Sequence, residues 1–277
     1  MRFKHSSTTK WAALCLVAWS AHAADVPVQV NRIGAVKLII GNVKENQSYF
    51  EHMFGMKEVD HYSDQAAYDE PIMGFDDGAH LALFSPKQEA QLKRSAFPVA
   101  LIYTPDLEGL VTRMQGAHYP VRMLDAAQSG PFKIAIAHDP SGNAIELLAR
   151  PGKWAVGGAK LIVSDRQKAE QFYTKIFNAV PGQRYKTPAY DEVLMNMGDG
   201  PFLALFQPLA EAPLAKSKYP VVAIYTSEFE AVVKRVADAG FGYREVSAGR
   251  PGLQIIVATD PAGNAVEIIR RAATAAK

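Results

Sequence analysis

The chain has a single cysteine in 277 residues, Cys15, and that residue lies in a segment that reads as an address and not as part of a fold. Arg2, Lys4 and Lys10 give a positive start, Trp11 to Trp19 a short apolar core, and Ala21-His22-Ala23 a small-x-small cleavage site. The apolar run is too short to span a bilayer as a stable helix. Twin arginines are lacking, and no small residue directly precedes Cys15 to make it a lipid-attachment site. A secretory signal over residues 1–23, cleaved after Ala23, and a periplasmic or secreted protein are therefore expected. The mature chain then has no thiol, which excludes a disulfide, a cysteine nucleophile and a thiolate metal ligand. Histidine is scarce too, with none after His138, so a two-histidine, one-carboxylate metal site is excluded from the C-terminal half. A basic excess is also missing. The 30 Lys+Arg of the whole chain fall to 27 without the signal, against 28 Asp+Glu, a net charge of −1. No basic stripe is left to suggest nucleic acid or anionic lipid, and a small-molecule ligand is the expected partner. The oligomeric state stays open.

What the chain does have is a repeat. Asp139-Pro140-Ser141-Gly142-Asn143-Ala144-Ile145-Glu146 returns as Asp260-Pro261-Ala262-Gly263-Asn264-Ala265-Val266-Glu267. Residues 33–150 align with 157–272 through Tyr68-Asp69-Glu70 and Tyr190-Asp191-Glu192, and through Ile102-Tyr103-Thr104 and Ile224-Tyr225-Thr226. Each copy reads as strand, helix and three strands, then that series again. Asn42 with Glu45, and Asp106, are helix caps; Ser164-x-x-Gln167 and Ser227-x-x-Glu230 are capping boxes at the equivalent starts. In the twin turns Asp caps, Pro sets φ, and Gly-Asn tolerate positive φ before the chain re-enters the sheet. The fold class is α+β, four βαβββ units in two pairs, since one unit is too small to bury its own sheet face.

The strand-then-helix opening Ile39-Ile40-Gly41-Asn42-Val43 with Tyr49-Phe50, and both Asp-Pro-x-Gly-Asn-x-x-Glu endings, resemble the vicinal oxygen chelate superfamily. That superfamily includes glyoxalase I, extradiol dioxygenases and bleomycin-resistance proteins. The resemblance implies two glyoxalase-like domains with cupped mixed sheets, over 33–150 and 157–272. It does not settle function, because the fold hosts lyases, dioxygenases and plain binders. In metal-dependent members each domain forms one cup, and the aligned ligand positions here are Ala35, Ala82, Val99 and Glu146, then Gly158, Ala204, Val221 and Glu267. One ligand in four survives, whereas a catalytic divalent ion needs about three protein ligands. No cofactor is expected, and His80 with Glu146 is the one candidate remnant of a metal pair.

Strand parity places Lys37 and Lys160, His80, and Tyr103 and Tyr225 on the same faces as these positions. Each cup then holds a Lys, a Glu and a Tyr amid apolar walls. Lys37, His80, Tyr103, Lys160 and Tyr225 are candidate ligand-binding residues, and Glu146 and Glu267 candidate catalytic ones. The repeated Tyr-Asp-Glu reads as edge polarity with the tyrosine as lid packing. Three functions fit: an exported binder of a small organic ligand without the family's metal, a lyase or isomerase with Glu146 or Glu267 as general base, and a protein-interaction module.

Overall fold

The computed structural model describes residues 28–87, 97–125, 131–198, 200–209, 219–246, 252–271 and 274–275. The expected signal and its cleavage site lie outside the described residues. Four βαβββ modules follow one another. The first holds β2 (Asn31–Ile39), α1 (Val43–Phe54), β3 (Lys57–Asp64), β4 (Tyr68–Gly74) and β5 (His80–Pro86). The second holds β6 (Ala100–Thr104), α2 (Leu107–Gly116), β7 (Val121–Met123), β8 (Ile134–His138) and β9 (Ala144–Ala149). The third holds β10 (Ala155–Ile162), α3 (Arg166–Phe177), β11 (Val180–Lys186), β12 (Tyr190–Asn196) and β13 (Phe202–Pro208). The fourth holds β14 (Val222–Thr226), α4 (Phe229–Asp238), β15 (Tyr243–Val246), β16 (Ile255–Thr259) and β17 (Ala265–Arg270). A short β1 (Val28–Gln29) pairs antiparallel with β18 (Thr274–Ala275).

The helices start where short polar side chains can take up free backbone N–H groups. Asn42 accepts from the Glu45 N–H and Asp106 from the Gly109 N–H. In the second repeat the caps differ from the expected boxes. Asp165, one residue beyond Ser164, accepts from the Lys168 N–H. At α4 the N-cap is Glu228 without a side-chain cap bond, and its own N–H donates to Thr226 Oγ1.

The modules do not pair within each repeat. One eight-stranded sheet runs β15-β16-β17-β14-β2-β5-β4-β3 and joins the first module to the fourth; the other runs β11-β12-β13-β10-β6-β9-β8-β7 and joins the second to the third. The seams are antiparallel: Ala35 faces Ala223 across β2 and β14, and Gly158 faces Leu101 across β10 and β6. Helices follow the opposite rule, with α1 packed on α2 and α3 on α4, inside each repeat. Each cup thus straddles the duplication while the helical layer stays within it, and the two repeats interlock.

The twin turns reinforce the links inside each repeat. Asp139 Oδ1 accepts from the Asn143 N–H at 2.7 Å, and the positive φ falls on Gly142 (84°) and Gly263 (83°), not on the asparagines. Asn143 acts through its side chain, donating to the Ile39 carbonyl at the end of β2, 3.0 Å away; Asn264 donates to the Ile162 carbonyl at 3.1 Å. Ser141 Oγ accepts from the Gly41 N–H and from Asn46.

Alternation along β2 divides the interior in two. Val36 and Leu38, with Leu81 and Leu83, meet Tyr49, Leu110, Tyr173 and Val232 of the helices in one core that runs through all four modules. Ala35 and Lys37 face the other way, and Ala35 packs with Ile72, Ala82, Ala223, Ile255 and Ile269 on the concave face. That face is the first cup.

Candidate ligand-binding cups

The two cups carry the same polar arrangement. In the first, Lys37 Nζ donates to Glu267 Oε2 at 2.9 Å and lies 2.8 Å from Glu70 Oε1. In the second, Lys160 Nζ donates to Glu146 Oε2 at 2.8 Å and lies 2.9 Å from Glu192 Oε1. These side chains are nearly closed off from solvent, with Lys37 and Glu70 at 7% exposure and Glu267 at 9%. Burial by itself would lower the pKa of each lysine, but the two carboxylates beside it outweigh burial and raise it. Glu70 and Glu192 move upward as well, mainly through burial and against the pull of their lysines. One ammonium thus serves two carboxylates in each cup.

Aromatic rings frame each lysine. Phe84 lies under Lys37 at 5.4 Å and Phe206 under Lys160 at 5.1 Å, within cation–π reach. Tyr68 stacks on Phe84 and Tyr190 on Phe206. Three arginines stand behind the two tyrosines of the sheet seams. Arg271 lies 5.1 Å from the centre of the Tyr225 ring and hydrogen-bonds its hydroxyl, and also donates to Tyr62 Oη at 3.3 Å. Arg32 lies 5.3 Å from the Tyr225 ring centre. In the second cup Arg150 stands 4.6 Å from the Tyr103 ring centre and hydrogen-bonds that hydroxyl. Burial raises both tyrosine pKa values, and the arginines oppose the shift. The Tyr225 ring lies flat against backbone: a Cβ at Gly34 would come within 2.4 Å of it.

The first cup encloses a cavity of about 450 Å³. Lys37, Glu70 and Glu267 line it, with Tyr62, Tyr68, Phe84, Tyr219 and Tyr225 as aromatic wall and Arg244 as a further cation.

Sequence parity grouped Lys37, Tyr103 and Glu146 in one cup and Lys160, Tyr225 and Glu267 in the other; the structure gathers Lys37, Tyr225 and Glu267 in one and Lys160, Tyr103 and Glu146 in the other. The partnership between them is different from the one expected. Because β2 pairs with β14, the set Ala35, Ala82, Val99 and Glu146 is not brought together. The first cup gathers Ala35, Ala82, Ala223 and Glu267, and the second Gly158, Ala204, Leu101 and Glu146. The candidate metal pair of His80 and Glu146 is overturned for the same reason: His80 is on β5 in one sheet and Glu146 on β9 in the other. His80 lies opposite Ala35 but is not among the cavity-lining residues, and burial followed by Arg32 lowers its pKa. Among the described residues no group of three or more His, Cys, Asp or Glu is placed to hold a metal ion.

Glu70 and Glu192 were missed, having been read as edge polarity. Alternation divides the Tyr-Asp-Glu motif between the two faces of its strand. The tyrosine and glutamate turn into the cup, while Asp69 meets His61 Nε2 at 2.6 Å and Asp191 meets Arg166 Nε at 3.0 Å outside it. The same parity that placed Lys37 would have placed Glu70, two residues before cavity-lining Ile72.

Comparison with curated protein sequences finds no match. Among solved structures, glyoxalase I from Zea mays superposes with a TM-score of 0.73 at 20% identity, covering 87% of this chain and 92% of that one. A putative dioxygenase from Bacillus subtilis subsp. subtilis str. 168 gives 0.66 at 15% identity, covering 87% and 86%. At these identities the likeness shows the fold alone. The family model described as Glyoxalase/Bleomycin resistance protein/Dioxygenase superfamily matches residues 32–147 and 155–268, and the chain belongs to that superfamily.

Proposed function

We propose that this chain is an exported member of the superfamily that binds a small organic ligand in its sheet cups without a divalent metal. The observation that carries the reading is the cavity of about 450 Å³ over the Lys37–Glu70–Glu267 floor. Its size falls within the roughly 300–1,000 Å³ of small-molecule sites, and apolar walls with a few convergent polar groups are their usual lining. A cavity of this volume favours a small ligand over a flat protein-interaction surface.

The donor set speaks against a metal. Ala35, Ala82 and Ala223 offer no ligand atom, and Glu267 is already held by the Lys37 ammonium. Glu70 is engaged by the same ammonium, and two engaged carboxylates still fall short of the three or so ligands that a catalytic ion needs. Export rests on the positive, apolar, small-residue order of residues 1–23. No helix among the described residues is long and apolar enough to cross a membrane.

One observation favours a second reading, proton transfer by a lyase or isomerase. Two carboxylates share one lysine, and burial pushes Glu70 upward, the kind of environment that prepares an acid or base. Periplasmic expression followed by native mass spectrometry and elemental analysis tests both readings. The expected result is cleavage after Ala23, no stoichiometric Zn, Ni, Fe or Mn, and a saturable ligand that is not turned over. Metal lost on Glu267→Ala would overturn the metal-free reading, and turnover of the bound ligand would establish the second.

A further inference from the structure

The lining of the first cup is polarised. At its floor two carboxylates share one lysine, and Lys37 is the partner of both among the described residues. A lysine carries three N–H donors and one charge, whereas two ionised carboxylates carry two charges and about eight acceptor positions. The floor is therefore acceptor-rich, with one cation for two carboxyl groups in a nearly closed setting. Glu70 Oε1, 2.8 Å from the Lys37 ammonium, has no further hydrogen-bond partner among the described residues.

The seam beside it has the opposite character. Tyr225 lies two residues from Ala223, which pairs directly with Glu267, so the tyrosine stands about 7 Å further along the same face. Its hydroxyl oxygen accepts from Arg271, which leaves the O–H as a donor. Arg32 adds positive charge at the ring, and exposed Arg244 lines the mouth of the cavity. Between these poles the walls are apolar, with Ile72, Phe84, Ile255 and Ile269.

We infer that the first cup takes an amphoteric ligand, an amine-bearing acid with an apolar or aromatic body, whose ammonium meets Glu70 and Glu267 and whose carboxylate meets Tyr225 and Arg244. The inference rests on the reading of this cup as a ligand site and names the chemical class for it. The cationic end supplies the charge that Lys37 alone does not. The anionic end accepts from a hydroxyl polarised by Arg271. An apolar body fills the walls, where burial contributes without direction.

Three probes of one shape separate the two ends: L-phenylalanine with both charges, phenethylamine with the amine alone, and hydrocinnamate with the acid alone. Titration calorimetry of the mature protein should give phenylalanine an affinity about tenfold or more above either single-charge probe, as expected for one further charge-assisted hydrogen bond. Glu267→Gln should weaken phenylalanine and phenethylamine and leave hydrocinnamate unchanged. Tyr225→Phe should weaken phenylalanine and hydrocinnamate and leave phenethylamine unchanged, with unfolding curves confirming that both variants fold. Equal or tighter binding of a single-charge probe would overturn the amphoteric class while leaving the cup a ligand site. So would variants that weaken all probes alike. No binding of phenylalanine at millimolar concentration overturns it as well; the wider reading falls only if native mass spectrometry also finds no ligand.

Discussion

Replacing Lys37 by methionine tests the central feature of both cups, a buried cation held between two carboxylates. The change keeps most of the aliphatic volume and removes the charge. Lys37 lies 2.8 Å from Glu70 and 2.9 Å from Glu267, with 7%, 7% and 9% of the three side chains exposed, so solvent screens these contacts little. At an effective dielectric of 20 each contact corresponds to roughly 6 kcal/mol of gross attraction, most of it offset by desolvation and by repulsion between the carboxylates. Removing the cation strands two buried anions, and the net loss should be about 3–5 kcal/mol near neutral pH. For a chain of this size that is a drop in Tm of roughly 6–20 °C. The loss must depend on pH with a definite sign. Burial and Glu267 already hold the folded pKa of Glu70 above its ordinary 4.5, and deleting Lys37 removes the opposing pull. A carboxyl with a raised folded pKa binds its proton more tightly in the folded state. Its contribution is present below the unfolded value and lost as pH rises through the folded one. Urea unfolding at about pH 8 and about pH 5 should therefore show a large deficit for Lys37→Met at the higher pH and a smaller one at the lower. The triple variant Lys37→Met, Glu70→Leu, Glu267→Leu, with no stranded charge, should return to within about 2 kcal/mol of the parent or exceed it. A single variant as stable as the parent at pH 8, or a deficit that does not shrink on acidification, would refute the reasoning.

Asn143→Ala and Asn264→Ala should each lower stability by about 1–3 kcal/mol in urea unfolding, because each leaves a buried strand-end carbonyl, Ile39 or Ile162, without its donor. Gly34→Ala should destabilise by roughly 1–3 kcal/mol, since its Cβ would meet the Tyr225 ring at 2.4 Å. Tyr225→Ala in the same chain should remove most of that added cost, and full additivity would count against the contact. Residues 28–152 expressed alone expose the β2 and β6 edges that normally pair with β14 and β10. Light scattering should find that fragment as a dimer or larger species, and a stable monomer would contradict the interlocked pairing.

The duplication, the four modules and the concave faces were legible from local regularities. Period-two alternation put Lys37, Lys160, Tyr103 and Tyr225 on cup faces, and the Asp-Pro-x-Gly-Asn turns marked the entry to the final strands. Local signals were weaker where neighbours of similar chemistry competed: Asp165 took the cap expected of Ser164. Glu70 and Glu192 were open to the same parity argument. A glutamate next to an outward aspartate at the start of a strand looks like solvated polarity until the strand opposite supplies a lysine.

The sequence by itself determined how many modules there are, their order, and which side chains line a concave face, because strand parity and turn chemistry act between residues close in the chain. Only the tertiary structure decided which modules share a sheet. The opening strands β6 and β14 are nearly the same in sequence, Ala-Leu-Ile-Tyr-Thr and Val-Ala-Ile-Tyr-Thr, so nothing local tells β2 to pair with β14 rather than β6. That choice belongs to the packing of α1 on α2 and α3 on α4 together with the antiparallel seams between repeats. It joins Lys37 to Glu267 rather than Glu146, and it separates His80 from Glu146.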